Sequence, residues 1–499
     1  MYSGSGFNDW EIGDITVIIH EGVYHLFHLI IPNHDYIAHA VSNDGYSWKR
    51  VKNALFVGNP GEWDDDMLWT MDVVEVDGKF EMYYTGLQRR DRGVISRIGM
   101  AHSDDLINWE KSKKDIYPIA PNGNYYETEN NNPRKWLSFR DPYWYKYNNE
   151  IYLLLCARSM TGPVSRRGCV GIVNITNDII DPLPPLLYPM MYDDIECPCI
   201  FELNGWYYII GSIREDIKIR YWFAKEFFGE YHSFHSDVLL PKGNYAARVV
   251  KDGDHLLLYN FFYSYRKIDV LRVLPPPKEL GTDSDGRLVL KSYYRWDRQV
   301  TQTILQTEFG ELKHLLSNPT ATSAIESDKW TCSSRSGYEI FSFEKPSASF
   351  IWEGLLTVEG MGKLGLVSDV DSEANGYFIS FDVKNGLLQM RAWGFNPLDV
   401  RQNFIFNDLQ TGVFKLNEEN RFNFRLIHYG NYIELSIDGE VKLTLMDYTF
   451  SGNGIGLYSA SSVISLQNSI VKILPDPIDE YASQEEAHKL PEQTIMPPQ

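Results

Sequence analysis

The sequence predicts an all-β protein, a five-bladed β-propeller followed by a C-terminal β-sandwich. Three observations support this prediction. The 499 residues exceed what a single hydrophobic core usually supports, so two domains are expected. Aromatic residues make up 14% of the chain, with 32 Tyr and 13 Trp, and this composition favours strands over long helices. A hairpin pattern also recurs five times between residues 15 and 261.

Each of the five hairpins consists of a strand, a turn rich in Asp, Asn or Gly, and a second, aromatic strand. The segments are residues 15–30, 73–86, 143–158, 199–212 and 248–261. Small antiparallel sheets at roughly even spacing are typical of propellers, which shorten and protect their strand edges by radial repetition. A single large sandwich or an irregular barrel is the alternative.

A second repeated element lies between the hairpins. Residues 37–48 resemble residues 98–109, with a small residue, Ser, Asp and Trp in the same order. This repetition is a further indication of equivalent structural units.

The pattern changes after the fifth hairpin. We expect the propeller to comprise residues 1–298, and residues 299–325 to form a linker with a short helix around Glu308 to Leu315. Residues 326–474 show the strand alternation of a sandwich, for example at 377–381 and 433–437. Residues 475–499 contain too little apolar surface to offset the entropy cost of ordering, so a flexible tail is expected.

The formal net charge of −20 argues against nucleic acid or an anionic membrane as a partner, because both would be repelled over most of the surface. A small neutral substrate fits this charge better. The start of the chain has no signal-peptide pattern, and no stretch of 18 apolar residues follows. We therefore expect a cytoplasmic location, unless a leader has been removed.

Five cysteines in a chain of this length argue against a disulfide framework. Cys197 and Cys199 have no second cluster at metal-ligand spacing, so zinc is not expected. The sequence predicts neither a metal nor another cofactor.

Three carboxylates stand at the start of predicted hairpins. Asp14 precedes the first hairpin, Asp141 lies between Arg140 and a proline, and Glu196 enters an apolar strand after two other acids. Desolvation and the neighbouring acids should retain the proton of Glu196, as a general acid requires, and Arg140 could hold Asp141 ionised by a charge-assisted bond. Taken alone, Asp14 could be a turn residue and Asp141 part of a structural ion pair. Glycoside hydrolysis needs such a proton donor together with a second carboxylate.

These segments resemble, in order, the motifs of the β-fructofuranosidase family, glycoside hydrolase family 32, which contains invertases, inulinases and levanases. Any one triplet is a weak signal, but seven in the right order across residues 14–288 are specific. The matching segments are Asp14 followed by Tyr24-His25-Leu26-Phe27, Ala38-His39-Ala40-Val41-Ser42 with Trp48, Tyr84-Thr85-Gly86, Arg140-Asp141-Pro142, Glu196-Cys197-Pro198, Asn244-Tyr245-Ala246, and Leu274 to Leu288.

The resemblance implies a retaining glycoside hydrolase acting on fructofuranosides or related small oligosaccharides. It implies Asp14 as the nucleophile, Asp141 as the residue that stabilises the transition state, and Glu196 as the acid/base. Whether water or another sugar accepts the glycosyl group stays open, as does the oligomeric state.

Candidate substrate-binding residues are Arg140, Trp63, Trp69, Asp72 and Tyr245. The two Trp rings could stack on the apolar faces of sugars, although core packing explains a Trp about as often. Asp72 stands in a stretch where the resembled family has substrate-binding Ser residues.

One motif departs from the family, whose first segment usually reads Asn-Asp-Pro-Asn-Gly. Here it is Gly13-Asp14-Ile15-Thr16-Val17, which keeps the carboxylate and puts fructose specificity in question. Two other functions therefore stay open. One is an inverting xylosidase or arabinofuranosidase on the same type of propeller, and the other is a non-catalytic sugar-binding propeller.

Overall fold

The computed structural model describes residue 2 and residues 11–129, 131, 133–263, 272–395, 404–415 and 419–477. The chain forms two compact units, the first ending at Val289 and the second being Leu290–Pro477. Throughout these ranges the regular structure is strand, except for short 3-10 turns, so the all-β prediction is confirmed. None of the described helices is long and apolar enough to cross a membrane. The turns are Arg89–Asp91, Val164–Arg166, Thr176–Asp178, Trp296–Gln299 and Gln306–Glu308.

Five small antiparallel sheets make up the first unit, and we number them as blades I to V in chain order. Blade I consists of β1 (Glu11–His20), β2 (Val23–Ile31), β3 (Tyr36–Ser42), β4 (Lys49–Arg50) and β5 (Leu55–Phe56); blade II of β6 (Met67–Val76), β7 (Lys79–Leu87), β8 (Ser96–Ser103) and β9 (Glu110–Lys111); blade III of β10 (Phe139–Tyr147), β11 (Glu150–Arg158), β12 (Gly168–Asn174) and β13 (Asp181–Leu187); blade IV of β14 (Glu196–Leu203), β15 (Trp206–Ile213), β16 (Lys218–Ala224) and β17 (Val238–Leu240); and blade V of β18 (Asn244–Asp252), β19 (His255–Tyr263), β20 (Arg272–Val273), β21 (Lys278–Thr282) and β22 (Leu288–Lys291).

The first strand of each blade lies against the first strand of the next blade. The strands β1, β6, β10, β14 and β18 follow one another in this way, and β18 returns to contact β1. Because this ring closes, the five sheets surround a common axis, which confirms the predicted five-bladed propeller. The five predicted hairpins are the pairs formed by the first two strands of each blade.

The repeated element of the sequence forms the same turn in blades I and II. In blade I, Ser42 Oγ donates to Asp44 Oδ1, which also accepts backbone N–H groups. In blade II, Ser103 Oγ donates to Asp105 Oδ1, and that carboxylate again accepts backbone N–H groups. The Ser-x-Asp pattern thus encodes a local turn in which the Asp side chain replaces backbone acceptors.

Apolar faces of adjacent blades pack together to form the core. Phe27 of blade I shares a buried cluster with Met82 of blade II, and Leu154 of blade III shares another with Ile209 of blade IV. Burial between blades removes apolar area from water and thereby holds the ring of inner strands in place.

Twelve hydrogen-bonded strands make up the sheet of the second unit. Residues 350–357 of the longest strand pair with one hairpin and residues 365–368 with another, so this strand passes from one layer of the predicted sandwich to the other. Its pairing is irregular between Gly360 and Lys363, and the φ of +94° at Gly360 favours glycine at that position. The strands are β23 (Gln302–Leu305), β24 (Lys313–His314), β25 (Ala321–Ile325), β26 (Lys329–Glu344), β27 (Phe350–Val370), β28 (Gly376–Asp382), β29 (Leu387–Phe395), β30 (Phe404–Val413), β31 (Arg421–Tyr429), β32 (Tyr432–Ile437), β33 (Glu440–Met446) and β34 (Gly454–Ile473).

Residues 299–325, expected as a linker, contribute three short strands to this sheet. β23 pairs with β34, and β24 and β25 pair with β26. The helix expected around Glu308 to Leu315 is wrong, because a single 3-10 turn, Gln306–Glu308, is followed by β24. Pairing with long neighbouring strands decides the structure of segments whose own alternation is weak. The expected tail lies outside the described residues from position 478 onward.

Candidate active site

An irregularity in strand pairing interrupts the inner strand of every blade near its beginning. A bulge of this kind bends a strand and redirects its side chains and amides, and bulges are common next to active sites. Three of the bulge residues have left-handed backbones, Asp141 (φ 60°), Cys197 (φ 49°) and Ala246 (φ 50°). The irregularities lie between Ile12 and Ile15, Trp69 and Met71, Arg140 and Tyr143, Glu196 and Cys199, and Tyr245 and Arg248.

The bulge amides of blades III, IV and V each donate a hydrogen bond to the preceding blade. The amide of Asp141 in blade III donates to Thr85 Oγ1 of blade II at 3.0 Å. The amide of Cys197 in blade IV donates to Asp141 Oδ2 at 2.9 Å, and that of Ala246 in blade V donates to Ser212 Oγ of blade IV at 2.9 Å. The backbone conformation of the bulge therefore fixes Asp141 through a hydrogen bond from the neighbouring blade.

Asp14, Asp141 and Glu196 meet where the bulged ends of β1, β10 and β14 surround the axis. One carboxylate oxygen of Asp14, one of Asp141 and Sγ of Cys197 all lie within 4.8 Å of one another. Glu196 directly precedes Cys197, and its charge acts on Asp14. The structure thus brings together the three carboxylates that the sequence singled out.

Burial disfavours the charged form of Asp14 and Asp141. It raises the pKa of both groups, and each pKa is raised further by a neighbouring acid, Glu196 for Asp14 and Asp14 for Asp141. Thr70 opposes this effect at Asp14, because its hydroxyl donates to Asp14 Oδ2. At Asp141 the main opposing charge is that of Arg140.

Glu196 has a different set of neighbours. Its side chain is 14% exposed, Arg140 Nη2 donates to Oε1 at 2.8 Å, and the Tyr245 hydroxyl donates to Oε2. Burial raises the pKa of Glu196, and the charges of Asp194 and Asp141 raise it further, against the lowering effect of Arg140 and Tyr245. Tyr245, expected as a substrate-binding residue, therefore contacts the expected acid/base.

The Arg140 guanidinium, expected to hold Asp141 and to bind substrate, is shared among several protein acceptors. Arg140 Nε lies 3.7 Å from Asp141 Oδ1, whereas the hydrogen bonds of the guanidinium go to Glu196, to Asp194 Oδ2 at 3.1 Å and to Ser138 Oγ at 2.6 Å. Although burial acts to raise it, the pKa of Asp194 is lowered by Arg140 and Arg134. Asp194 therefore stays ionised and balances the charge of Arg140.

Asp72, expected to contact substrate, is held by protein groups on the inner strands. Its carboxylate accepts hydrogen bonds from Thr16 Oγ1 at 3.0 Å and from the amide of Trp144 at 2.8 Å. The side chain is buried, and burial raises its pKa. Asp72 thus connects blades I, II and III, and both of its oxygens already have protein donors.

The two candidate Trp residues have different surroundings. Trp63 stacks on Tyr84 and covers Gly86 and Gly99, where an added Cβ would lie 2.4 Å from the indole in each case. Its ring therefore packs against the core of blade II, which favours the core-packing alternative for this residue. Trp69 directly precedes Thr70, is partly buried and stacks on His34 with 5.3 Å between ring centroids. Trp69 remains a candidate for contact with a sugar.

Two residues of the site were not predicted from the sequence. Thr70 reads as a strand residue, and only the proximity of β6 to β1 shows that it binds Asp14. Arg248 reads as an ordinary cation, but it is 2% exposed on β18. A strand Arg in an otherwise apolar pattern was the available signal, because a buried Arg is rare unless it is paired.

Comparison with known proteins agrees with this architecture. The sequence model described as the glycosyl hydrolases family 32 N-terminal domain matches residues 14–165. A fructan β-fructosidase from Streptococcus mutans is 23% identical over 224 residues, which are 43% of this chain and 15% of that protein. The chain thus spans a small part of the curated relative that it matches.

Two solved structures show the same fold over nearly the whole chain. Sucrose-6-phosphate hydrolase from Lactobacillus gasseri has a TM-score of 0.68 at 16% identity, covering 94% of this chain and 91% of its own. Fructan 1-exohydrolase IIa from Cichorium intybus has a TM-score of 0.71 at 13% identity, covering 93% and 95%. The family match to residues 14–165 and the curated relative confirm the expected resemblance to the β-fructofuranosidases of glycosyl hydrolase family 32, and the solved structures show the shared fold.

Proposed function

We propose that this protein is a retaining glycoside hydrolase that acts on β-fructofuranosides or related small oligosaccharides. Three carboxylates from three inner strands converge, and each has its own donors: the Thr70 hydroxyl for Asp14, the Cys197 amide for Asp141, and Arg140 with Tyr245 for Glu196. This convergence carries the proposal. Asp14 is the nucleophile, Glu196 is the acid/base, and Asp141 binds ring hydroxyls and stabilises the oxocarbenium-like transition state.

In the first step Asp14 attacks the anomeric carbon while Glu196 protonates the glycosidic oxygen. The bond from carbon to the leaving oxygen breaks, a bond to Asp14 forms, and Glu196 becomes a carboxylate. Tyr245 and Arg140 donate to this carboxylate, so they stabilise the charge that develops on it. In the second step Glu196 deprotonates the incoming water or sugar hydroxyl, which displaces Asp14.

The charge balance around Arg140 allows Glu196 to change its protonation state. With Glu196 protonated, Asp194 still neutralises the Arg140 guanidinium from 3.1 Å. Because Asp194 is 1% exposed and also pairs with Arg134 at 3.2 Å, this compensation does not depend on solvent. Arg140 therefore donates to the Glu196 carboxylate when Glu196 is ionised, and its own charge stays balanced when Glu196 is protonated.

The family match and the named relatives support this substrate class. The relatives include a fructan β-fructosidase and a sucrose-6-phosphate hydrolase. The first motif lacks the family's Asn residues, so Thr70, Trp69 and Asp141 are the groups that we expect to face the furanose ring. The acceptor is water, with transfer to a sugar hydroxyl as a second outcome of the same step.

A substrate panel tests the proposal. The purified protein should release fructose from sucrose or short fructans, whereas Asp14→Asn and Glu196→Gln should each lose several orders of magnitude in turnover while remaining folded. Release of xylose or arabinose in place of fructose would favour the inverting alternative. Binding of these sugars without turnover would favour a sugar-binding propeller.

Stereochemistry provides a second test. When methanol replaces water as the acceptor, a retaining enzyme gives the methyl β-fructofuranoside, which proton NMR identifies. Formation of the α-anomer would contradict the double-displacement mechanism.

A further inference from the structure

A buried arginine lies among the inner strands, next to the β14 bulge. Arg248 is 2% exposed, and its guanidinium carbon lies 5.6 Å from the centroid of the Tyr143 ring. Burial of a cation is costly unless other groups compensate for the lost water, so its neighbours should show why it is retained.

The neighbours of Arg248 come from all four other inner strands. Burial raises the pKa of Tyr143, Cys197 and Cys199, so these groups are neutral. The remaining groups that interact with Arg248 are acids. The titratable and charged groups concerned are Asp14 on β1, Asp72 on β6, Asp141 and Tyr143 on β10, and Cys197 and Cys199 on β14.

The hydrogen bonds of Arg248 hold the bulge of β14. Nη1 donates to the carbonyl oxygens of Cys197 at 2.8 Å and Pro198 at 3.2 Å. On the other side of the same peptide unit, the amide of Cys197 donates to Asp141 Oδ2 at 2.9 Å. Arg248 thus fixes the strained backbone that in turn orients Asp141.

The rest of the guanidinium acts through space. Nε and Nη2 of Arg248 are buried and have no hydrogen-bond acceptor among the described residues. In a buried site, such a charge interacts strongly with neighbouring carboxylates because little solvent screens it. Its effect is to lower the pKa of Asp14 and of Asp72, opposing burial at both.

We propose that Arg248 is a positioning residue of the active site, which locks the β14 bulge against Asp141 and places a buried positive charge that favours the carboxylate form of Asp14. Asp72, which also interacts with Arg248, is held by Thr16 and by the amide of Trp144. The inference rests on the proposed roles of Asp14 and Asp141. It adds a buried cation on β18 to the groups that position and tune those two residues.

Two Arg248 variants test the proposal. In Arg248→Gln the cation is lost, so the pKa of Asp14 rises and the acid limb of kcat/KM moves to higher pH. Arg248→Lys keeps the charge but loses the two carbonyl bonds, so its acid limb stays near that of the wild type while kcat falls, on the order of 10²-fold for a misplaced catalytic group.

A titration without turnover separates this inference from the proposed function. In protein labelled with ¹³C at the aspartate carboxyl carbon, the resonance that is lost in Asp14→Asn reports the ionisation of Asp14, whatever the substrate is. Its titration should move to higher pH in Arg248→Gln and remain in place in Arg248→Lys. An unchanged titration in Arg248→Gln, or equal displacement in the Gln and Lys variants, would overturn the inference. Absence of fructose release with the expected titration would contradict only the proposed function.

Should Arg248→Gln fail to fold, Arg248→Met takes its place. The Met side chain keeps an apolar stem at this buried position and also lacks the charge of Arg248. An upward displacement of the Asp14 titration in Arg248→Met, with no displacement in Arg248→Lys, supports the inference. No displacement in Arg248→Met would contradict it.

Discussion

Removal of the Tyr245 hydroxyl tests how the acid/base is tuned. In Tyr245→Phe the donor to Glu196 Oε2 is lost, while the ring and its burial are kept. A hydrogen bond to a charged group contributes about 1.5–3 kcal/mol. Because the carboxylate form of Glu196 develops as the proton leaves, this stabilisation applies mainly to the transition state. We therefore expect kcat to fall roughly 10- to 150-fold.

The same variant should change the pH profile in a defined direction. The Tyr245 hydroxyl lowers the pKa of Glu196 because it stabilises the ionised form. Its removal raises that pKa, and since Glu196 must be protonated to act as the acid, the basic limb of kcat/KM moves to higher pH. Initial rates measured across the pH range, with the anomeric product followed by NMR, give both kcat and the pH of the basic limb.

Tyr84→Phe provides a matched control. The Tyr84 hydroxyl donates to Asp64 Oδ2 at 2.9 Å inside blade II, so this change also removes a bond from a buried tyrosine to a carboxylate. It should lower the free energy of unfolding without moving the basic limb. If Tyr245→Phe and Tyr84→Phe have the same kcat and the same pH for the basic limb of kcat/KM, Tyr245 does not tune the pKa of Glu196 and the proposed role of Tyr245 is wrong.

Three further predictions follow from the described contacts. Thr70→Val removes the donor to Asp14, so the pKa of Asp14 rises and the acid limb of kcat/KM moves to higher pH, whereas Thr70→Ser keeps it in place. Arg158→Met should lower the free energy of unfolding, measured by urea denaturation, by about 3 kcal/mol, because Arg158 is fully buried and bonded to Glu127 at 2.8 Å. As a control, Arg421→Met removes one member of an exposed ion pair and should lower the free energy of unfolding by less than about 1 kcal/mol. A chelator should leave turnover unchanged, because the proposed chemistry is carried by carboxylates, and loss of activity restored by a divalent cation would contradict this.

The sequence predicted the propeller because its signals are local. Alternating apolar residues on both sides of an Asp, Asn or Gly turn specify a hairpin without reference to the rest of the chain, and five such hairpins formed as expected. The bulges had a partial signal in Pro142 and Pro198. Proline is excluded from central strand positions, so its presence indicates an edge or a bulge.

The environment of each side chain depended on contacts between blades and could not be predicted in the same way. A one-residue bulge reverses which face a side chain occupies. The Asp72 carboxylate therefore lies against Thr16 and Trp144. Whether Arg140 bonds to Asp141 or to Glu196 also depends on the relative positions of two inner strands, and the spacing of motifs along the sequence does not give those positions.

Trapping of the covalent intermediate tests the central claim most directly. Glu196→Gln, incubated with a fructoside whose leaving group departs without protonation, should accumulate a glycosyl-enzyme because the second step lacks its base. Intact-mass spectrometry should show the addition of one fructosyl group, and peptide mapping should place it on Asp14. A fructosyl group on any other residue, or turnover of the activated substrate with no adduct in rapid-quench samples, would contradict the assignment of Asp14 as the nucleophile.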